Sequence, residues 1–126
     1  MIGPASIDHM VFRISAFDQT KSFYSVLLGP PACEDEHSLI YLVGGTRIFF
    51  TLADETQVGT YDKEKIGLNH LAFSVRSLVE LEAIQGQLES CQVPHSGIKV
   101  DQYGLREFIW LDDPDGLRIE FYLRSE

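Results

Sequence analysis

The sequence predicts an α+β protein built from two copies of one strand–helix–three-strand (βαβββ) module. Three observations carry that prediction. First, the chain matches itself: Ile7-Asp8-His9-Met10-Val11-Phe12 aligns with Leu68-Asn69-His70-Leu71-Ala72-Phe73, and Arg47-Ile48-Phe49-Phe50-Thr51-Leu52 aligns with Arg118-Ile119-Glu120-Phe121-Tyr122-Leu123. Self-similarity of this kind outranks local signals when a fold is read. Second, strand-like alternation and helix-like spacing follow each other in the same order in both copies. Third, 126 residues with 44% apolar composition suffice for one hydrophobic core, whereas a module of about 60 residues is marginal alone. The chain is therefore expected to be a single domain over 1–126, with module one at about 5–53, a linker at about 54–66 and module two at about 67–124.

Taken in order, residues 6–14 alternate well enough for a strand. Asp18 is the expected N-cap of a helix over about 19–28, with Phe23, Leu27 and Tyr24, Leu28 at helical spacing. Gly29-Pro30-Pro31 ends it, because proline cannot continue a helix. Residues 38–43 and 46–52 read as strands joined through Gly44-Gly45, a tight hairpin signal. Residues 54–66 are polar and charged. Residues 68–75 then read as a strand, and Ser77 caps a helix over about 78–90 with Leu78, Leu81, Ile84 and Leu88 on its apolar side. Residues 95–101 read as a weaker strand after Pro94. Residues 105–111 and 117–123 form a hairpin around Asp113-Pro114-Asp115-Gly116, which has turn chemistry at each place.

A net charge of −9 argues against nucleic acid or an anionic membrane as partner, since both are gripped by clustered Lys and Arg. No basic segment followed by an apolar one opens the chain, and no run approaches the 18 or so apolar residues of a membrane span. A cytoplasmic location is expected. Cys33 and Cys91 lack CxxC spacing, so neither a disulfide framework nor a thiolate metal site is indicated. Two reduced, partly buried thiols are expected instead.

Residues two apart on a strand share a face. One face carries Met10, Phe12, Ile14, Ile48, Phe50 and Leu52, and in the second copy Leu71, Phe73, Val75, Ile119, Phe121 and Leu123. All are apolar, as a helix-covered face requires. The other face gathers His9, Val11, Arg13, Arg47, Phe49 and Thr51, with His70, Ala72, Ser74, Arg118, Glu120 and Tyr122 in the copy. Two related histidines point to a site lying between the halves. His9, His70 and Glu120 share a face, and two imidazoles plus a carboxylate can hold Fe²⁺, Mn²⁺, Zn²⁺, Ni²⁺ or Co²⁺ with coordination positions left open. His37, in the acidic stretch Glu34-Asp35-Glu36, and His95, beside Pro94, have no such partners and read as loop residues.

Strand–helix–three strands twice, with Ile7-Asp8-His9 near the start, Leu68-Asn69-His70 at mid-chain and Asp113-Pro114-Asp115-Gly116-Leu117-Arg118-Ile119-Glu120 near the end, resembles the vicinal oxygen chelate superfamily. That superfamily includes glyoxalase I, fosfomycin-resistance thiol transferases, extradiol dioxygenases, methylmalonyl-CoA epimerase and bleomycin-resistance proteins. The resemblance implies two βαβββ modules pairing into a cupped, half-open mixed β-barrel with helices outside. It also implies a divalent metal on the concave side, held by His9, His70 and Glu120, that chelates adjacent substrate oxygens. Phe49 is the departure: glyoxalase I and the epimerase usually place a fourth protein ligand at or near this position. A three-ligand facial arrangement remains, similar to the fosfomycin transferases and extradiol dioxygenases.

The expected function is thus a metal-dependent enzyme acting on a small organic, anionic substrate with adjacent oxygens, by lyase, dioxygenase or thiol-transferase chemistry. Phe49, Phe108, Trp110, Arg118 and Tyr122 are the candidate substrate-binding residues, with Tyr41 a further member of an aromatic wall. Arg13, Arg47 and Arg106 are further candidates for an anionic group. Glu120 and Tyr122 are the candidates for catalytic proton transfer, with Glu107 behind them. The alternative is a non-catalytic sequestration protein of the bleomycin-resistance type. A purely structural module would leave the triad without a role. The expected partners are a small molecule and a second copy in a homodimer, the site lying within one chain or shared across it.

Overall fold

The computed structural model describes residues 3–54 and 59–124. The chain divides into two compact units, one up to residue 58 and one from Gly59 onward. Unit one runs β1 (His9–Ile14), α1 (Phe17–Leu28), β2 (Cys33–Glu34), β3 (Ser38–Val43) and β4 (Thr46–Leu52). Unit two runs β5 (His70–Val75), α2 (Leu78–Ser90), β6 (Lys99–Val100), β7 (Glu107–Asp112) and β8 (Arg118–Leu123). Each is a βαβββ module with a four-stranded mixed sheet, ordered β1-β4-β3-β2 and β5-β8-β7-β6. In both, the first strand runs parallel to the last and the other pairings are antiparallel.

The two faces separate as strand parity requires. In unit one Ile14, Ile48 and Phe50 are buried. Tyr24 of α1 meets Phe50 with ring centroids 4.3 Å apart. In unit two Phe73 stacks on Phe121 at 5.4 Å, and Leu81 and Leu88 of α2 bury with Ile109, Leu111 and Ile119. Each such side chain contributes about 1.5–3 kcal/mol on burial. The opposite faces leave His9, Val11, Arg13, Arg47, His70, Ala72 and Ser74 exposed. Of the apolar set expected on α2, Leu78, the first residue of the helix, is 40% exposed.

Gly44, with φ +58, supplies the left-handed residue that the tight β3–β4 turn needs. Ser77 caps α2 as expected, and Glu80 completes a capping box by returning its carboxylate to the cap backbone. The α1 expectation needs correction. The helix starts at Phe17 with Ala16 at the cap and no side-chain cap bond, so Asp18 lies inside the first turn. There its charge still suits the positive end of the helix dipole.

The expected strand over 95–101 is reduced to Lys99–Val100. Before it Ser96 still meets Trp110, its backbone N–H donating to the Trp110 carbonyl and its Oγ accepting from the Trp110 N–H, each at 2.9 Å, while His95 Nδ1 accepts from Gly97 and the Gln85 side chain from Ile98. Tyr41 is also corrected. It pairs with Ile48 across the β3–β4 ladder and lies 1% exposed in the unit-one core, its hydroxyl 2.9 Å from the Ser25 Oγ. Burial pushes its phenol above the ordinary tyrosine range, with the Ser25 bond opposing.

Residues 55–58 of the expected linker lie outside the described residues. From Tyr61 to Gly67 the chain forms turns without helix or strand. Tyr61 ties it to unit two: its backbone N–H donates to the Asp115 carbonyl at 2.8 Å and its hydroxyl donates to the Leu68 carbonyl. In the Asp113–Gly116 turn, the nearly buried Asp113 Oδ1 accepts from the backbone N–H groups of Asp115 and Leu117, each at 2.9 Å. No described helix is long and apolar enough to cross a membrane.

Candidate functional site

In unit two the parallel pairing of β5 with β8 sets Ala72 opposite Glu120 and Ser74 opposite Tyr122. The antiparallel pairing of β7 sets Trp110 opposite Glu120 and Phe108 opposite Tyr122. The polar face of three strands therefore converges on one cavity of about 490 Å³. His70 and Glu120 supply its ionisable floor, Ala72 and Phe108 its apolar side, and Asp101, Tyr122 and Arg124 its remaining wall. Phe108 and Tyr122 stack at 6.0 Å with 29° between planes.

His70 Nε2 stands 3.6 Å from Glu120 Oε1, with side-chain exposures of 41% and 15%. That separation is too long for a hydrogen bond. It fits two donors sharing one ion, since two atoms each roughly 2.1 Å from a metal lie at most about 4.2 Å apart. The donor types, imidazole and carboxylate, suit a divalent first-row metal. On its other side His70 Nδ1 lies 2.8 Å from the Asn69 Oδ1, while the Asn69 amide donates to the Lys63 carbonyl at 2.9 Å.

Tyr122 donates to Asp101 Oδ2 at 2.7 Å, and Asp101 Oδ1 accepts from the Tyr103 backbone at 3.0 Å. The Tyr103 bond, then the Tyr122 bond, hold the Asp101 carboxyl below the ordinary carboxylate range. The bond to Asp101 lifts the Tyr122 phenol above the ordinary tyrosine range, with burial and the Asp101 charge adding and Arg124 and Arg106 opposing. Arg124 places its guanidinium 5.0 Å from the Tyr122 ring centre, and its backbone N–H donates to Val75.

Other predicted residues are engaged elsewhere. Arg118 lies over the Trp110 ring at 3.8 Å and donates to Asp112 at 2.6 Å, so it is held by both. Glu107 shares the parity of Ile109 and Leu111 and so belongs to the opposite face from Glu120. Arg106 is exposed, in the loop ahead of β7. His95 accepts from Gly97, and exposed His37 lies 3.9 Å from Glu36.

Unit one carries the equivalent strand positions. His9 pairs with Arg47 as His70 pairs with Arg118, and Phe49 takes the ladder position of Glu120. The Phe49 ring meets His9 edge-on at 5.6 Å. His9 Nδ1 lies 2.7 Å from Asp8 Oδ2. That bond, then the His9 charge, holds the Asp8 carboxyl low, and Arg47 adds to it. Arg13 is committed to Thr51 Oγ1 and the Leu52 carbonyl.

The structure thus brings His70, Glu120, Phe108 and Tyr122 together in unit two, and sets His9 and Phe49 side by side in unit one. Among the described residues no group of three or more His, Cys, Asp or Glu side chains stands close enough together to hold a metal. Sequence reasoning missed Asn69, Asp101 and Lys63. For Asn69 a signal existed, since each copy places an acceptor side chain directly before its histidine. For Asp101 and Lys63 the contacts run through irregular loops, and no pattern announces them.

Residues 6–121 match the family described as the Glyoxalase/Bleomycin resistance protein/Dioxygenase superfamily, and the chain belongs to it. The uncharacterized protein YaeR of Escherichia coli (strain K12) is 44% identical over 59 residues, covering 47% of this chain and 43% of that protein. The match therefore spans less than half of the curated relative's length. Among solved structures, a glyoxalase family protein from Enterococcus faecalis is similar at 26% identity with a TM-score of 0.74, over 93% of this chain and 96% of that one. A lactoylglutathione lyase from Agrobacterium tumefaciens shares the fold at 14% identity, TM-score 0.74, over 97% and 96% of the two chains.

Proposed function

We propose that this chain is a metal-dependent enzyme acting on a small organic anion with adjacent oxygens, with His9, His70 and Glu120 as the metal ligands. One observation carries the reading. An imidazole nitrogen and a carboxylate oxygen face each other at 3.6 Å, beyond hydrogen-bond reach, in a cavity whose other walls combine Phe108 and Tyr122 with the charged Asp101 and Arg124. His9 is the third donor because it holds the matching strand position in the other module. A homodimer belongs to this reading, with His9 supplied by the same chain or by a second copy.

When bound, a divalent ion of this class supplies Lewis-acid stabilisation to charge developing on neighbouring substrate oxygens. The protein's own contribution is orientation and exclusion of water. Phe108 and the Tyr122 ring form a flat wall for the organic part of the substrate. Arg124 has no ion-pair partner among the described residues and attracts the substrate's negative charge. Tyr122 keeps its proton, directed at Asp101, so it donates rather than serves as a base. That leaves Glu120, which lines the cavity, as the candidate proton carrier.

Metal analysis of protein purified without chelator tests the reading. Near-stoichiometric metal is expected in the wild type. His9→Ala, His70→Ala and Glu120→Ala should each lose it while the far-ultraviolet circular dichroism is retained, because three donors are the minimum for a tight site. Full occupancy in any of these variants refutes the ligand set. A wild type that takes up none of Fe²⁺, Mn²⁺, Zn²⁺, Ni²⁺ or Co²⁺ turns the assignment to sequestration.

A further inference from the structure

An asparagine side chain is ambiguous at its tip: one end only accepts hydrogen bonds and the other only donates. At Asn69 the surroundings remove the ambiguity. The Lys63 backbone carbonyl, an acceptor, lies 2.9 Å from the amide nitrogen, so the donor end faces Lys63 and the oxygen faces His70 Nδ1 at 2.8 Å. That oxygen can only accept. His70 Nδ1 must therefore carry a hydrogen, and in the neutral ring the lone pair is left on Nε2, the atom that faces Glu120.

The Lys63 carbonyl is itself fixed. Asp62 closes a turn around it, its carbonyl accepting from Lys65 at 3.2 Å and its Oδ1 from Glu64 at 2.9 Å. Tyr61 ties the same segment to the Asp113–Gly116 turn and to Leu68. Gly67, at φ +135, lets the chain double back toward β5. In unit one Asp8 plays the corresponding part for His9 with an acceptor-only carboxylate, 80% exposed. Asn69 does it without adding a charge beside Glu120.

We infer that Asn69 is a positioning residue: anchored by the Lys63 carbonyl in the segment joining the two modules, it locks His70 in the Nδ1–H tautomer and aims the Nε2 lone pair at the Glu120 side of the cavity. The use of that lone pair rests on the metal-site reading above; the tautomer does not.

The test is ¹⁵N nuclear magnetic resonance of the metal-free protein, at a pH where His70 is neutral, together with Zn²⁺ titration. The wild type should show a protonated Nδ1 and a bare Nε2 for His70. Asn69→Leu removes the acceptor, so the His70 signals should move to those of mixed tautomers, and Zn²⁺ affinity should fall about 10–100-fold, the usual loss when an outer partner of a ligand is removed. Asn69→Asp keeps an acceptor and should restore the Nδ1–H signature, which a merely structural role for the side chain would not require. Unchanged His70 signals in Asn69→Leu, or a wild type protonated at Nε2, overturn the inference. A wild type with the expected tautomer that binds no Zn²⁺ supports the lock and refutes the metal site instead.

Discussion

Tyr122 donates its phenolic hydrogen to Asp101 across 2.7 Å, joining the last strand of unit two to the loop ahead of β7. After the larger pull of the Tyr103 backbone bond, this bond also draws the Asp101 carboxyl downward, and it lifts the Tyr122 phenol upward. Linkage fixes the pH dependence. Asp101, depressed when folded, stabilises the fold above its unfolded value of 3.8, and loses that contribution as pH falls through the folded value. Tyr122, elevated when folded, stabilises it below its unfolded value of 10.0, and loses that contribution as pH rises through the folded value. Urea midpoints for the wild type and Asp101→Ala should therefore differ most near neutral pH, converge in strong acid and narrow in strong base, where the Tyr122 bond is lost and the Tyr103 bond remains. A pH-independent difference would rule out the linkage.

The same bond explains Gly104. A Cβ built there would fall on the Tyr122 hydroxyl and come within 3.2 Å of Asp101 Oδ2. Tyr122 has little room to retreat, since its ring stacks on Phe108. Gly104→Ala should destabilise by about 1–3 kcal/mol, the range for overpacking. Tyr122→Phe removes the oxygen that clashes, so the double variant should lose less than the two single losses summed. Strict additivity in denaturant melts would show that the contact is not there.

Trp110 is the only tryptophan of the chain, so the Arg118 guanidinium 3.8 Å above it can be followed by fluorescence. Arg118→Met should shift the Trp110 emission and cost about 0.5–2 kcal/mol, from the lost cation–π contact and the unpaired Asp112. Metal uptake should be unchanged, because Arg118 stacks on Trp110 and directs its Nε to Asp112, and a guanidinium is not a metal ligand. Loss of metal in this variant would return Arg118 to the site.

How much of this the sequence disclosed follows from the range of each interaction. The β3–β4 hairpin and α2 were legible to the residue, because Gly44 and Ser77 act on their immediate neighbours. The placement of Glu120, Phe108 and Tyr122 on one face was legible too, since period-two alternation survives whatever surrounds the strand. Tyr41 was misassigned although its place could be read. A two-residue Gly44-Gly45 turn pairs Val43 with Thr46 and hence Tyr41 with Ile48, already assigned to the core face. The β6 strand failed differently. There the Ser96, His95 and Gln85 side chains take three backbone N–H groups beside one remaining backbone bond from Ser96 to Trp110, and propensity carries no signal for that mixture. Asp101 lies 21 residues from Tyr122, with only a turn-rich loop to announce it.

Phe49 and Glu120 occupy the same rung of the two ladders, one beside His9 and the other beside His70. The asymmetry gives a test of the pseudo-symmetric reading. Phe49→Glu would create in unit one the imidazole–carboxylate pair that unit two already holds. Phe49 is half-buried and edge-on to an exposed imidazole, so a carboxylate there should reach solvent at its tip and cost about 1 kcal/mol or less, within the range of ordinary substitutions. If His9 is a ligand, a fourth donor should tighten Zn²⁺ binding and occupy a coordination position that substrate would need. The expected result is stronger metal retention during dialysis against chelator together with weaker binding of small dicarboxylate or diol probes. Unaltered metal retention in a variant that melts near the wild-type temperature would remove His9 from the ligand set and leave His70 and Glu120 as a two-donor site.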